Sequence, residues 1–429
     1  MSDKELYLKE LNEQGRVLFS CDKYDEAIEK YEKAFSEDEM YLPTYFNACE
    51  AYIMSDKFDQ AKKMMKRVLL IDKENGEAYF HLGNIALLEE DFEEGKLQYA
   101  KAINNGHDVP QIYLNLASVS EDNDEWEEAI ANYTKAIARD KRCYSAKIRK
   151  IQIYMMLKRY DEALNSADDL IDTNPEIFEG HHLKFIVLAT NGKYTEAGTT
   201  LDKAQKMFPD DQGFVLDRVK LLELLEKYED ALALLSTIDS KFVPSEVLAT
   251  EKARLLIALN SIDEAQILLE NYGDEPVYAE MKKILITIYI EKQNYDGVLK
   301  CAEKLIDLRE HDSNFFSALY FKAYALKMLN KDIEATNAYS EAAKVMQQAC
   351  SVNSGLLDLY IYRAICYREL GQFEKANEML DYVSTVDENI AEVYYIRYLI
   401  YSDQKDMRAE AELNKAKELN PEVARIFGA

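Results

Sequence analysis

Apolar and polar positions along this chain keep two periods at once. Locally, stretches such as YDEAIEKYEKAF and WEEAIANYTKAI space their apolar residues three and four apart, the stripe of a helix with one buried face. Over a longer range, Tyr24, Phe58, Phe92, Trp126, Tyr160, Tyr194, Tyr228 and Ile262 follow one another at 34-residue intervals. Three residues after each stands a small one: Ala27, Ala61, Gly95, Ala129, Ala163, Ala197, Ala231 and Ala265. The slot returns less evenly at Val298, Ala335, Ala376 and Ala409, giving twelve registers.

A small residue at a fixed place means that two antiparallel helices, and then the first helix of the next unit, approach closely there. One such pair cannot bury its apolar face alone, so the units must stack into an array whose contacts run between neighbours. Pro43, Pro110, Pro244 and Pro276 fall at unit junctions, where a helix can begin but none has to continue. Carboxylates open the second helices (Asp25 and Glu26, Glu127 and Glu128, Asp161 and Glu162), where they complement the helix dipole. The even spacing predicts eight regular repeats over 8–278 and four less regular ones over 279–422. Extra residues in EHDSNFF and AAKVMQQACSVNSG predict longer helices near 310–356, and 423–429 reads as a tail or the end of a capping helix.

The chain resembles the tetratricopeptide repeat family, whose 34-residue unit has small residues at its eighth, twentieth and twenty-seventh positions and often a late proline. Ala34, Ala102, Ala136, Ala204, Ala342 and Ala416 match the third small slot, and Pro175, Pro209 and Pro421 match the proline. The resemblance covers nearly the whole chain. It implies an all-α, right-handed superhelical α-solenoid of tandem helix-turn-helix repeats, with the first helix of each repeat lining a concave surface.

Composition narrows the role. With 79 acidic against 52 basic residues the net charge is -27, which repels phosphate backbones, so no nucleic acid is expected as partner. No apolar run is long enough to span a bilayer, the opening MSDKELYLKE has no leader pattern, and six scattered Cys suit reduced thiols, so a cytoplasmic protein without membrane attachment is expected. No phosphate loop, dinucleotide fingerprint, nucleophile elbow or metal-spaced Cys/His set occurs, so no catalytic residue, cofactor or metal is assigned. His181 and His182 are adjacent, about 100° apart on a helix, and read as surface histidines.

What remains is recognition: a non-enzymatic scaffold or adaptor that binds a protein or peptide segment in its concave groove. The alternative is a peptide or small-molecule receptor whose solenoid changes conformation on binding. Oligomeric state is not encoded in any feature of the sequence. Groove positions of the last three repeats collect Tyr320, Tyr324, Tyr362, Tyr394, Tyr395, Tyr398 and Tyr401, with Lys327 and Arg368 beside them to pair a ligand carboxylate. Tyrosine supplies contact area with a polar tip, so these are either a binding surface or packing residues. Arg363 and Arg397 occupy core-facing positions and call for a carboxylate such as Glu378 or Asp381, or for exposure as the array ends. A second groove candidate is Asn84, Asn115 and Arg149. In the family, a clamp for C-terminal carboxylates uses such residues together with two lysines. Phe80 and Ser145 stand in place of those lysines here, which removes most of the charge-assisted bonds. The three residues then either bind a peptide backbone or are hydrated.

Overall fold

Left-handed backbone marks the turn inside each repeat. Asp22, Asp56, Glu90, Asp124, Lys158, Glu226, Asn260, Gln293 and Asn330 all have positive φ, and Gly192 and Gly371 take the same place without the steric penalty of a Cβ. Each lies five residues before its small slot. The turn caps the first helix: the amides of Asp22 and Lys23, for instance, donate to the carbonyls of Phe19 and Leu18, both at 3.0 Å.

The computed structural model describes residues 3–272, 278–308, 313–352, 356–421 and 423. Among them are 24 helices and no strand, an all-α repeat solenoid, numbered α1 (Asp3–Ser20) to α24 (Ala409–Leu419). The chain divides into two compact units, Met1–Pro209 and Asp210–Ala429, and the division falls inside the stretch of even 34-residue spacing. Within each unit a helix packs on its predecessor and successor, and some first helices also touch, as α1 touches α3 (Leu42–Met54).

The small slots carry this packing. Ala27, Ala61, Ala129, Ala163, Ala197, Ala231 and Ala265 are wholly buried, and so are Val298 and Ala376. Ala409 departs: it is only half-buried, and the left-handed turn residue Lys405 stands four residues before it rather than five. The twelfth repeat therefore keeps the buried Ala416 of the pattern but begins its second helix late, after a non-helical turn at 406–408. Of the sequence reading for 423–429, the part on 424–429 lies outside the described residues, as do 310–312 of EHDSNFF and 353–355 of the second insert.

Carboxylates in the first turns do more than face a dipole. A basic residue before a second helix reaches back one repeat to them in three places: Lys57 to Asp25 at 2.6 Å, Arg159 to Glu127 at 2.6 Å and Lys193 to Asp161 at 3.8 Å. These pairs are exposed and contribute about 0–1 kcal/mol each.

Helix length separates the units. Second helices from α2 (Tyr24–Glu37) to α12 (Tyr194–Met207) have 13 or 14 residues. In the second unit α14 (Tyr228–Leu235) has 8 and α16 (Ile262–Glu270) has 9, while α19 (Ser313–Met328) and α20 (Asp332–Val352) reach 16 and 21.

Candidate peptide-binding groove

In the first unit, α5 (Gly76–Leu88) and α7 (Pro110–Asp122), first helices of neighbouring repeats, bring Asn84 and Asn115 together. Their positioner is Tyr99 of α6 (Phe92–Asn104), whose ring is 1% exposed and lies over Gly83; a Cβ there would come within 2.6 Å of it. The Tyr99 hydroxyl donates to Asn84 Oδ1 at 2.7 Å. Asn115 Nδ2 donates to that same oxygen at 3.0 Å and to the Tyr99 hydroxyl at 2.8 Å, and Gln111 Nε2 donates to Asn115 Oδ1 at 2.7 Å. Burial pushes the Tyr99 phenol up to about 12, so it stays a protonated donor.

This network spends Asn84 Oδ1 and leaves the two N–H groups of its amide without a partner among the described residues. Asn84, Asn115 and Ser118 line a cavity of about 330 Å³, walled by Leu87, Phe92 and Val119. A related link ties the first two repeats: Asn47 Nδ2 donates to Asn12 Oδ1 at 2.9 Å, beside a cavity of about 380 Å³ lined by Glu13, Arg16, Asn47 and Glu50. Arg149 is not part of the asparagine network. Its guanidinium holds Glu121, which also accepts from the Tyr133 hydroxyl, so its charge is compensated within the protein.

The tyrosines of the second unit divide. Tyr320 is buried at 7% exposure, its ring centroid 5.5 Å from that of Tyr362 and 5.2 Å from that of Phe321, and burial raises its phenol far above the usual value. Tyr395 and Tyr401 are buried as well, Tyr401 under Arg408 with 4.2 Å from guanidinium to ring. Tyr324, Tyr362, Tyr394 and Tyr398 are partly exposed. Lys327 and Arg368 both meet Glu369, Arg368 at 2.8 Å, and Arg368 Nε also donates to Asp403 at 2.8 Å. Two internal carboxylates thus occupy the cations that sequence reasoning assigned to a ligand.

Three further readings resolve. Arg397 pairs with Asp381 at 2.6 Å, as its position called for. Arg363 is buried at 6% exposure yet has no carboxylate partner among the described residues. It lies 5.8 Å and 5.6 Å from the rings of Tyr360 and Tyr367, and its Nε is unsatisfied. Aromatic faces thus replace the expected acid. The surface reading of His181 is corrected: it is buried, Nε2 lies 3.4 Å from the Pro175 carbonyl oxygen, and its ring meets the Phe208 edge at 5.6 Å. Sequence reasoning missed Tyr99, Glu121 and Glu369. The one available signal was Gly83 in the first helix facing a large ring sixteen residues on.

The family description "Tetratricopeptide repeat" matches residues 18–83 and again 114–176, stretches that hold repeats of α1–α10. In structure, yeast Tom70 is similar at 16% identity, with 97% of this chain and 100% of that one covered and a TM-score of 0.48. A tetratricopeptide repeat protein from Parabacteroides merdae is similar at 17% identity, covering 56% of this chain and 97% of that one, TM-score 0.40. The Cut9 and Hcn1 hetero-tetramer of APC/C is similar at 12% identity, with 100% and 96% covered and a TM-score of 0.41. No curated protein matches by sequence. Repeated helix pairs stacked through small slots define a helical-repeat scaffold. Residues 18–83 and 114–176 are tetratricopeptide repeats, a unit that in general builds protein–protein interaction scaffolds. No helix among the described residues is long and apolar enough to cross a membrane.

Proposed function

We propose that this protein is a non-enzymatic adaptor that holds an extended segment of a partner protein along its first-helix faces. Asn84 and Asn115 are the pair that grips the segment's backbone. The observation that carries this reading is the Tyr99-fixed asparagine pair lining a cavity of about 330 Å³, with the Asn84 N–H groups still free to donate to a peptide carbonyl. A preset amide loses little entropy on binding, so each bond contributes about 0.5–1.5 kcal/mol. The partly exposed Tyr324, Tyr362, Tyr394 and Tyr398 serve as a second, aromatic contact surface. A protein partner suits the net charge of -27 better than nucleic acid does, and six cysteines in the reduced state support a cytoplasmic setting.

The test is quantitative affinity capture from the native cell, comparing the unaltered chain with the double substitution Asn84→Ala and Asn115→Ala. A drop of about tenfold for a subset of partners, with melting changed little, is expected. Unchanged capture of every partner would sink the asparagine grip.

A further inference from the structure

One first helix in the second unit is covered only in part. On α15 (Ser245–Ala258) Ala249 and Leu256 are buried, Leu248 is partly exposed and Lys252 is exposed, and all four line a cavity of about 700 Å³ between α14 and α16. The reason is helix length. Against the 14 residues of α8 (Trp126–Arg139), α14 has 8, a deficit of 14 − 8 = 6 residues or about 9 Å of helix. Beyond Leu235 the chain continues as turns, from which Ile238 and Val243 pack with Leu248 and Leu255 of α15 while the trough beside them stays open.

The opening has an amphipathic lining with polarity along its length. Leu232, Leu248, Leu256 and Leu268 form the apolar walls. Glu229 and Glu264 stand in the first turns of α14 and α16, so both carboxylates lie at one end, and Lys252 stands on the floor. None of these three charges has an ion-pair partner among the described residues. A volume of this size lies in the range of real binding sites.

We infer that this trough is a docking site for an amphipathic helix of a partner protein, distinct from the asparagine groove. The helix runs antiparallel to α14 and α16, with an apolar seam at three- and four-residue spacing over the leucines. Lysine or arginine in its last turn meets Glu229 and Glu264, where unpaired carboxylates make a cationic end complementary. The length of α15, 14 residues or about 21 Å, accommodates roughly four turns of such a helix.

The experiment is a selection from a displayed library of helical peptides against the full chain, followed by affinity measurement on the enriched sequences. Ala233 is exposed and lines the trough, so Ala233→Trp obstructs it without entering the core. Enriched peptides should carry the apolar seam with a basic last turn and lose at least tenfold in affinity to Ala233→Trp and to the double variant Glu229→Lys, Glu264→Lys. Replacing their basic residues by Glu should restore binding to that double variant, and Asn84→Ala should leave their affinity unchanged. Failure to enrich such peptides, or affinities indifferent to both trough variants, would overturn the inference. So would displacement of the peptides by dodecanoate at stoichiometric amounts, which would make the occupant an acyl chain. A concentration-dependent dimer abolished by Ala233→Trp would make it a second copy and overturn the partner helix equally.

Discussion

Across the first unit the second helices hold to 13 or 14 residues, whereas in the second unit they run from 8 in α14 to 21 in α20. Both units nevertheless bury the same small slots and use the same left-handed turn. The slot and the turn therefore fix how two helices pair, and helix length is set separately by where apolar positions stop. At α15 the early end of the preceding second helix leaves a trough along part of the neighbour. Extending one adds core, as Met346 and Cys350 do on the later turns of α20. The surfaces diverge in chemistry too: asparagines tied to one another in the first unit, tyrosine rings in tilted contact in the second.

The largest effect expected within that contrast concerns the tyrosines. Tyr320→Ala should cost about 3–5 kcal/mol of folding stability, since it empties a buried site among Phe321, Tyr339 and Tyr362. Tyr324→Ala removes a partly exposed ring and should cost roughly 1 kcal/mol. Denaturant titration of the two variants decides it. Equal losses would mean that the second unit's aromatic set is one continuous core and offers no contact surface.

That division was not legible in the sequence, for a physical reason. Tyr320 and Tyr324 are four residues apart on α19, and a helix places both on roughly one face. Only the extended α20 and the position of α21 (Leu357–Glu369) decide which ring is roofed, and the sequence spacing carried neither. The slots were legible because a close approach tolerates few residue types. Lys327 and Arg368 misled for the opposite reason: a cation takes any nearby carboxylate, and the partners lie on the next first helix, Glu369 for Lys327 and Asp403 for Arg368, which also meets its own neighbour Glu369. Asn84 and Asn115 could be placed on one face from spacing, but the hydroxyl that locks them belongs to Tyr99, a residue whose slot reads as core.

A smaller effect should separate the units by pH. Burial, with a lesser push from His107, lowers His81 from its ordinary 6.5 to about 4. A histidine held neutral in the fold favours the folded state fully above the unfolded value near 6.5 and loses that contribution as pH falls toward 4, by up to about 3 kcal/mol. Glu50, raised by burial and by Glu77, works in the opposite sense and offsets part of the loss. His181 is lowered as well and adds to it. All described histidines lie in the first unit, so hydrogen exchange at pH 7 and pH 4.5 should show it loosening more than the second, and His81→Phe should flatten the difference. Equal loosening of both units at the lower pH would point to carboxylates as the cause instead.

Next in size is the slot itself. Ala129→Leu and Ala163→Leu should overpack fully buried sites and cost about 1–3 kcal/mol, while Ser118→Ala on the groove face should stay within about 0.5 kcal/mol. Ala409→Leu is the informative member of the series. Its half-buried site at a displaced turn should accept leucine at less than about 1 kcal/mol. A loss matching that of Ala129→Leu would show that the last repeat keeps the regular packing despite its shifted turn.

What holds that shifted turn is the smallest effect and the most local. Asp406 accepts from the Arg408 side chain, Nη2 at 2.7 Å, and from the Arg408 amide at 2.9 Å, and the pair lies in the segment that takes the place of a first helical turn in α24. The Arg408 side chain is the larger cause and its backbone N–H the second; together they hold the Asp406 carboxyl at about 2, below its ordinary 3.8. A carboxyl lowered in the fold supports it above the unfolded value near 3.8 and loses that support as pH falls through 2. Both groups stand in water, so screening keeps the effect on melting small, and the titration midpoint is the sensitive observable. Carbon-detected resonance spectra should place the Asp406 midpoint near 2, and Arg408→Ala, which keeps the backbone N–H, should raise it part of the way toward 3.8 while also freeing the Tyr401 ring beneath the guanidinium. If the midpoint stays where it was in the variant, the pair does not shape the turn.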